Sequence, residues 1–152
     1  ARIKDEALGL VGELEHIESG PLRQLMESGF IPVVSPIGCL GNAEGSSSTL
    51  LNINADTMAA GIGAALGAQQ FIFLTDVPGV LNSKGSVIEA LTPRETQTLI
   101  QTGVIHGGMV PKVEACLSAL GGVDEALILD GRTPGVLRDA LTGSSVQGTR
   151  IS

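Results

Sequence analysis

The chain has 152 residues, 43% of them apolar and only 16% charged, so it is long and apolar enough for a folded domain rather than a disordered segment. Its formal charge of −7 argues against general nucleic-acid binding, which requires a basic surface. Cys39 and Cys116 have no metal-ligand spacing, the first residues resemble no signal peptide, and no apolar run is long enough for a membrane span. We therefore expect a reduced, cytoplasmic protein.

The first third of the chain contains signals for short strands and one short helix. Residues 9–17 predict an edge strand or hairpin arm, and residues 30–38 predict a buried strand because β-branched residues precede a glycine. Between them, Ser19 and Gly29 are expected to begin and end a helix. The glycine- and serine-rich residues 39–49 are typical of a loop or hairpin tip.

The middle of the chain predicts a strand, a helix and a second strand. Residues 50–53 form the first strand and residues 54–68 the helix. Gly61 and Gly63 lower the helix propensity by about 1 kcal/mol each, and we expect close packing against the sheet to compensate. The apolar run over residues 69–76 predicts a central parallel strand that is buried on both faces.

The last part of the chain alternates helices and strands. Residues 77–91 contain two turn signals and predict a small hairpin. Thr92, Pro93 and Glu95 predict a capping box at the start of a helix. The remaining predicted elements are a helix over 107–122, a strand over 124–131, a capped helix over 133–143 and a strand over 148–152. This alternation predicts an α/β fold with a mostly parallel sheet and helices on both faces.

Polar side chains lie at the carboxyl ends of three predicted strands, where ligands bind in open parallel sheets. They are Asn52, Asn54 and Asp56, then Thr75 and Asp76, then Asp130. Strand alternation puts Asn52 and Asn54 on one face, and Asp56 in the first helical turn can lean toward them. The alternative is that Asn54 caps the helix and the helix dipole favours Asp56, which leaves Asn52 unexplained.

A second candidate site is the glycine pair Gly107 and Gly108, which precedes a helix that carries Lys112. Exposed amide groups at a helix start can hold phosphate oxygens, and a lysine aimed at phosphates neutralises charge during transfer. The alternative is an ordinary solvated lysine beside a glycine turn. The chain lacks a Walker A loop, and it has no GxGxxG fingerprint after a first strand, which argues against a Rossmann dehydrogenase.

Seven motifs occur together in a fixed order over nearly the whole chain. They are "GLVGEL", "GFIPVVSPIG", "LNINADTMAAGIGAALGA", "FLTDVPGVL", "GVIHGGMVPKVEA", "LILDGR" and "GTRI". In these motifs the chain resembles the amino acid kinase family, specifically its members that act on N-acetyl-L-glutamate. The resemblance implies a three-layer αβα sandwich of the carbamate kinase type with a mainly parallel sheet, incomplete at its N-terminus. It implies a remnant of the substrate domain over residues 1–49 and a nucleotide-binding domain over 50–152.

The implied reaction is ATP-dependent phosphorylation of the side-chain carboxylate of N-acetyl-L-glutamate, a step of arginine biosynthesis. By the motifs, Lys112 should stabilise the transferring phosphoryl group and Asp56 should orient that lysine. Asn52 should bind acetylglutamate, with Asn54 nearby. The implied nucleotide pocket consists of Thr75, Asp76, Val77, Pro78, Gly79, Val80, Leu81, Val104, Ile105, His106, Gly108 and Met109. Mg²⁺ should accompany ATP through the phosphate oxygens, without a metal site of the protein's own.

The resemblance covers the C-terminal half of the family or somewhat more. The family's N-terminal half supplies a second catalytic lysine, a glycine-rich segment and a substrate-gripping arginine, and none of them has a counterpart here. We therefore expect the chain alone to be inactive and to need the missing N-terminal half, within a homo-oligomer and with no nucleic-acid or membrane partner. Two alternatives stay open: an acetylaminoadipate kinase of lysine biosynthesis, whose substrate is one methylene longer, and a non-catalytic domain that senses an amino acid or nucleotide.

Overall fold

The computed structural model describes residues 1–40 and 49–152, so residues 41–48 of the predicted loop lie outside the described part of the chain. The described residues form two compact units, which we call unit 1 (Ala1–Leu66) and unit 2 (Gly67–Ser152). The units divide after Leu66, whereas the resemblance puts a domain boundary after residue 49. The assignment of a substrate and a nucleotide domain to these parts stays a prediction.

Unit 1 is built on a four-stranded mixed sheet. Its elements are β1 (Arg2–Ile3), a 3-10 helix (Glu6–Leu8), β2 (Val11–Glu13), α1 (Gly20–Glu27), β3 (Ile37–Cys39), β4 (Leu50–Ile53) and α2 (Ala55–Leu66). The strand order is β1-β2-β4-β3, with β2 and β4 parallel and the other two pairs antiparallel. β2 is therefore an arm antiparallel to β1, but it is not an edge strand, because β4 pairs with its other side.

Helix α1 forms where the sequence predicts it. Ser19 occupies the N-cap position, although its side chain makes no capping hydrogen bond. Gly29 has a φ of +84°, its N–H donates to the Met26 carbonyl, and the Phe30 N–H donates to the Leu25 carbonyl. This paired arrangement is a Schellman motif, and it explains why a glycine follows the helix.

The predicted buried strand over residues 30–38 is wrong. Only residues 37–39 are paired, with β4, and the apolar side chains before them lie on the surface: Ile31 is 91% exposed and Val33 is 96% exposed. Pro32 and Pro36 lack the N–H that a strand ladder requires. Among the described residues, no second strand pairs with residues 30–36. We call residues 30–37 the apolar segment.

The core of unit 1 is a small cluster between β4 and α2. Leu51 and Ile53 from β4 pack with Met58 from α2, as the alternating burial of the strand requires. Gly61 of α2 lies directly against the end of the Leu14 side chain, which would have to shift to accommodate a Cβ. Packing is therefore close at Gly61, although against residues that follow β2 rather than against the sheet, and packing of Gly63 against the sheet stays a prediction.

Unit 2 contains the larger mixed sheet. Its elements are β5 (Gln70–Thr75), β6 (Ala90–Leu91), α3 (Pro93–Gln101), α4 (Met109–Ala119), β7 (Glu125–Asp130), α5 (Val136–Leu141) and β8 (Gly148–Ile151). The strand order is β5-β7-β8-β6, with only the β7–β8 pair antiparallel. Among the strands that the structure describes, three pairs are parallel and three are antiparallel, so the α/β fold carries mixed sheets rather than a mainly parallel one.

Strand β5 is parallel to β7, as predicted, but it is not central among the described strands. Phe71 and Phe73 are buried on one face, whereas Leu74 on the other face is 47% exposed. Strand β7 is the one that is buried on both faces, over residues 126–129. A continuous apolar run therefore identified both strands without distinguishing their positions in the sheet.

The predicted capping box and hairpin are confirmed, and one predicted cap is wrong. The Thr92 hydroxyl accepts the Glu95 N–H, and the Glu95 carboxylate accepts the Thr92 N–H at 2.8 Å. The hairpin over residues 77–91 closes through the Leu81–Val87 bridge. Helix α5 begins later than predicted, and its N-cap is Gly135 at φ +79°, which has no side chain to accept a capping hydrogen bond. Within the described residues, no helix combines the length and apolarity that a bilayer crossing requires.

Candidate functional site

A cavity of about 200 Å³ lies in unit 2 between two loops. The first loop follows β5, and the second joins α3 to α4. The cavity is lined by Val77, Gly79, Val80, Leu81, Val104, Ile105, His106 and Met109. All eight belong to the predicted nucleotide pocket, although they come from segments more than 20 residues apart in sequence. The cavity is mainly apolar and smaller than the ~300–1,000 Å³ of most ligand pockets, so its size suits a planar base rather than a whole nucleotide.

The four other residues of the predicted pocket lie near the cavity in sequence but do not line it. Thr75 ends β5, and its hydroxyl is 3.3 Å from the carboxylate of the exposed Asp76. Pro78 lines a neighbouring depression together with Asp130. Gly108 is the N-cap of α4.

Arg132 forms an ion pair with Asp130 at the carboxyl edge of the unit 2 sheet. Its backbone N–H and Nε both donate to Asp130 Oδ1, and its terminal nitrogen donates to Oδ2 at 2.8 Å. Hydrogen bonding to Arg132 lowers the pKa of Asp130 to about 2, and the bond to Asp130 together with the charge of Asp76 raises the pKa of Arg132. The sequence reasoning selected Asp130 but passed over Arg132, for which the motif "LILDGR" was the available signal.

Lys112 lies in the first turns of α4 and is half-buried. Its Nζ is 5.1 Å from the centroid of the Phe73 ring, which itself packs edge-to-face on Phe71 at 4.9 Å. An ammonium over an aromatic face is attracted by the ring quadrupole. Phe73 therefore helps to hold this lysine over the face of the sheet that α4 covers.

The glycine pair before α4 is open to solvent. Gly107 has a φ of +58°, which favours glycine, but Gly108 has a helical φ of −66° and no atom within 4 Å of an added Cβ. The backbone therefore explains the first glycine and not the second. Open space next to a helix start is what a bound anion would need.

The candidate substrate residues, Asn52 and Asn54, and the candidate catalytic residue Asp56 all lie in unit 1. Asn52 is exposed on β4, on the side opposite the buried Leu51 and Ile53. Asn54 follows the strand and caps α2, since its Oδ1 accepts the Thr57 N–H at 3.0 Å. Asp56 is half-buried in the first turn of that helix.

The capping explanation for Asn54 therefore holds. It still leaves the exposed carboxamide of Asn52 without a structural reason. Lys112 belongs to unit 2, whereas Asp56 and the two candidate substrate residues, Asn52 and Asn54, belong to unit 1. Among residues 1–40 and 49–152, no three His, Cys, Asp or Glu side chains are grouped so that they could hold a metal ion.

Comparison with known proteins matches residues 1–130 to the amino acid kinase family. The chain is 43% identical over 147 residues to an acetylglutamate kinase from Oleidesulfovibrio alaskensis, covering 95% of this chain and 48% of the relative. It is 48% identical over 128 residues to an acetylglutamate kinase from Rhizorhabdus wittichii, covering 84% and 41%. The chain thus spans about half the length of the curated relatives that it matches.

Solved structures share the fold. A Streptococcus mutans protein, smu.665, is 32% identical with a TM-score of 0.77, over 97% of this chain and 53% of the other. N-acetylglutamate synthase from Neisseria gonorrhoeae, complexed with coenzyme A and L-arginine, is 25% identical with a TM-score of 0.82, over 95% and 33%. Carbamate kinase from Giardia lamblia bound to AMP-PNP is 25% identical with a TM-score of 0.66, over 91% and 45%. The carbamate kinase fold class predicted from the sequence is therefore confirmed.

Proposed function

Since the chain belongs to the amino acid kinase family, we propose that it is the ATP-binding part of an acetylglutamate kinase. The reaction would transfer the γ-phosphoryl group of ATP to the side-chain carboxylate of N-acetyl-L-glutamate, with a carboxylate oxygen attacking phosphorus and ADP leaving. The observation that carries the proposal is that eight of the twelve predicted nucleotide residues surround one cavity in unit 2. The identity of 43–48% to proteins of that name supports the substrate.

Within unit 2, the cavity would take the adenine base between the apolar walls, such as those formed by Val80 and Ile105. The phosphates would extend toward the open turn at Gly107 and Gly108, where the start of α4 favours anions. Lys112 would then meet the transferring phosphoryl group and neutralise its charge, a contribution that typically amounts to several kcal/mol in the transition state. Magnesium, held by the phosphate oxygens of the nucleotide, would neutralise part of the remaining charge.

Unit 1 would contribute the substrate side. Asn52 offers an exposed carboxamide that can both donate to and accept from a small polar acid. Asn54 would act mainly through its cap on α2, which fixes the helix that carries Asp56. Asp56 would orient Lys112 in the complete enzyme. An acyl phosphate forms without a protein nucleophile, because positioning and charge stabilisation supply the catalysis.

We further propose that the active enzyme needs a polypeptide that corresponds to the unmatched half of the relatives. The apolar segment supports this: five of its large apolar side chains are exposed, and β3 is the last strand of its sheet in the described part of the chain. An exposed apolar edge pairs readily with another strand. An apolar strand from the unmatched half would bury these side chains.

Isothermal titration with ATP and Mg²⁺ tests the nucleotide site. Lys112→Ala should weaken ATP binding by about tenfold to a hundredfold, because a charge-assisted contact is worth ~1.5–3 kcal/mol. Lys84→Ala removes the same charge from the tip of the hairpin and should change the affinity less than about twofold. Equal ATP affinity for the Lys112 variant and the unmodified chain would contradict the catalytic role and favour the sensing alternative.

The sensing alternative has its own supporting observation, the structural similarity to a synthase complexed with L-arginine. Activity assays separate it from the kinase. The chain alone should produce no acyl phosphate, and adding the unmatched half of the Oleidesulfovibrio alaskensis enzyme should restore turnover of N-acetylglutamate in preference to N-acetylaminoadipate. Turnover by the chain alone would refute the need for the second half.

A further inference from the structure

Thr149 is one of the most completely buried polar residues of unit 2, and its hydroxyl joins three segments. It lies on β8 with 0% exposure, outside the predicted site. The hydroxyl accepts the Val80 N–H at 2.8 Å and donates to the Ile88 carbonyl at 2.7 Å. Both bonds go to the base of the hairpin that follows β5, so one side chain ties the two arms of that hairpin to the sheet.

The same contact fixes the wall of the cavity. Val80 lines the cavity and is almost completely buried, and its neighbours Gly79 and Leu81 line it too. A Cβ on Gly79 would lie 2.7 Å from the Thr149 hydroxyl and 3.1 Å from the Thr149 backbone nitrogen. The turn is therefore pressed against β8 at a glycine with a φ of +144°.

We propose that Thr149 is a positioning residue of the nucleotide pocket, which sets the wall against the base without touching the ligand. The proposal rests on the nucleotide-binding function proposed above. A buried N–H that loses its acceptor is unfavourable, so without the hydroxyl Val80 would turn toward another acceptor or toward water. Either movement displaces the wall that contacts the base, while the turn at Gly107 and Gly108 stays in place.

The decisive variant is Thr149→Val, which keeps the shape and removes the hydroxyl. We expect its affinity for adenosine and for ATP to fall by the same factor, about tenfold, which corresponds to ~1.4 kcal/mol. Its affinity for inorganic tripolyphosphate should not change, because the phosphate part of the site is separate. Thr149→Ser retains the hydroxyl and should restore adenosine binding to within about threefold of the unmodified chain.

Thr96→Val is the matched control. Thr96 is also 0% exposed, and its hydroxyl donates at 2.9 Å to the Thr92 carbonyl within the first turn of α3, away from the cavity wall. It should lower thermal stability about as much as Thr149→Val and leave adenosine affinity within about twofold. If both variants weaken adenosine equally, the effect follows stability and the proposal is overturned.

Failure of this inference is distinguishable from failure of the proposed function. No binding of adenosine or ATP by the unmodified chain overturns the proposed function and the inference with it. Normal adenosine binding by a folded Thr149→Val variant overturns the inference alone. If Thr149→Val does not fold, Gly79→Ala tests the same contact from the other side, since the added methyl displaces the Thr149 hydroxyl. Unchanged adenosine affinity in the Gly79→Ala variant would overturn the inference too.

Discussion

Units 1 and 2 have nearly opposite distributions of apolar side chains. Of the 21 buried apolar residues in the described part of the chain, 17 lie in unit 2 and four in unit 1. Of the 15 exposed large apolar side chains, 11 lie in unit 1. Since apolar burial is the main favourable term in folding, unit 2 holds a core of its own and unit 1 holds only part of one.

Because of this difference, the proposed nucleotide site and the proposed substrate site should depend to different degrees on the rest of an enzyme. The cavity proposed for the nucleotide and its supporting contacts, including Thr149, lie entirely in the well-packed unit. The candidate substrate residues lie in the unit whose apolar surface is still exposed. The proposed ATP site should therefore survive in this chain better than the proposed substrate site.

Truncating one core residue in each unit gives the largest expected effect. Ile128→Ala should destabilise unit 2 by about 2–5 kcal/mol, because Ile128 is fully buried on β7. Leu51→Ala removes an equally buried side chain from β4. The small core around Leu51, however, should already open by local unfolding in the unmodified chain. Hydrogen exchange followed by mass spectrometry would measure both variants.

In that experiment Ile128→Ala should accelerate exchange throughout residues 67–152. Leu51→Ala should accelerate exchange mainly in residues 1–66. If both variants accelerate exchange equally along the whole chain, the two units unfold as one cooperative body and the contrast between them is wrong. The contrast would also be wrong if the amides of unit 1 were as well protected from exchange as those of unit 2 in the unmodified chain.

The second effect concerns the apolar segment. The double variant Ile31→Ser and Val33→Ser replaces two almost fully exposed apolar side chains, so it should change the free energy of unfolding by less than about 0.5 kcal/mol. It should lower the binding of an apolar dye severalfold and abolish complementation by the unmatched half of a relative. A loss of several kcal/mol would instead show that these side chains are already buried in solution.

The sequence predicts most elements where local chemistry decides them. Thr92 and Glu95 form a capping box because both partners lie within one helical turn, and Gly29 ends α1 for an equally local reason. The apolar segment shows the limit. Its residue types favour a strand, but a strand also needs a partner, and among the described residues only Ile37, at the end of the segment, pairs with another strand.

The candidate site shows the same limit. The cavity-lining residues were identified through motifs, and the structure brings them together around one cavity. Arg132 is missed although it follows Asp130 by two residues in "LILDGR", whereas Thr149 is missed because its importance depends on contacts with residues distant in sequence. A hydroxyl that meets Val80 across 69 positions leaves no local pattern.

The smallest effect is a pH dependence that belongs to unit 2. Because Arg132 lowers the folded-state pKa of Asp130 from 3.8 to about 2, the ion pair contributes stability above the unfolded pKa, and that contribution is lost as the pH falls toward 2. Asp130→Asn should therefore lower the urea midpoint at pH 6, with a difference from the unmodified chain that shrinks between pH 4 and 2.

Circular dichroism is the suitable probe for this measurement, since the chain has no Trp or Tyr. Because Arg132, the partner of this carboxylate, is largely exposed, solvent screens the ion pair and the difference at pH 6 should be small. Arg132→Gln removes the other partner of the ion pair, so it should abolish the same pH-dependent contribution to stability. A midpoint difference that is as large at pH 2 as at pH 6 would mean that Asp130 acts through the shape of its turn, where its Oδ1 accepts the Arg132 N–H, rather than through its charge.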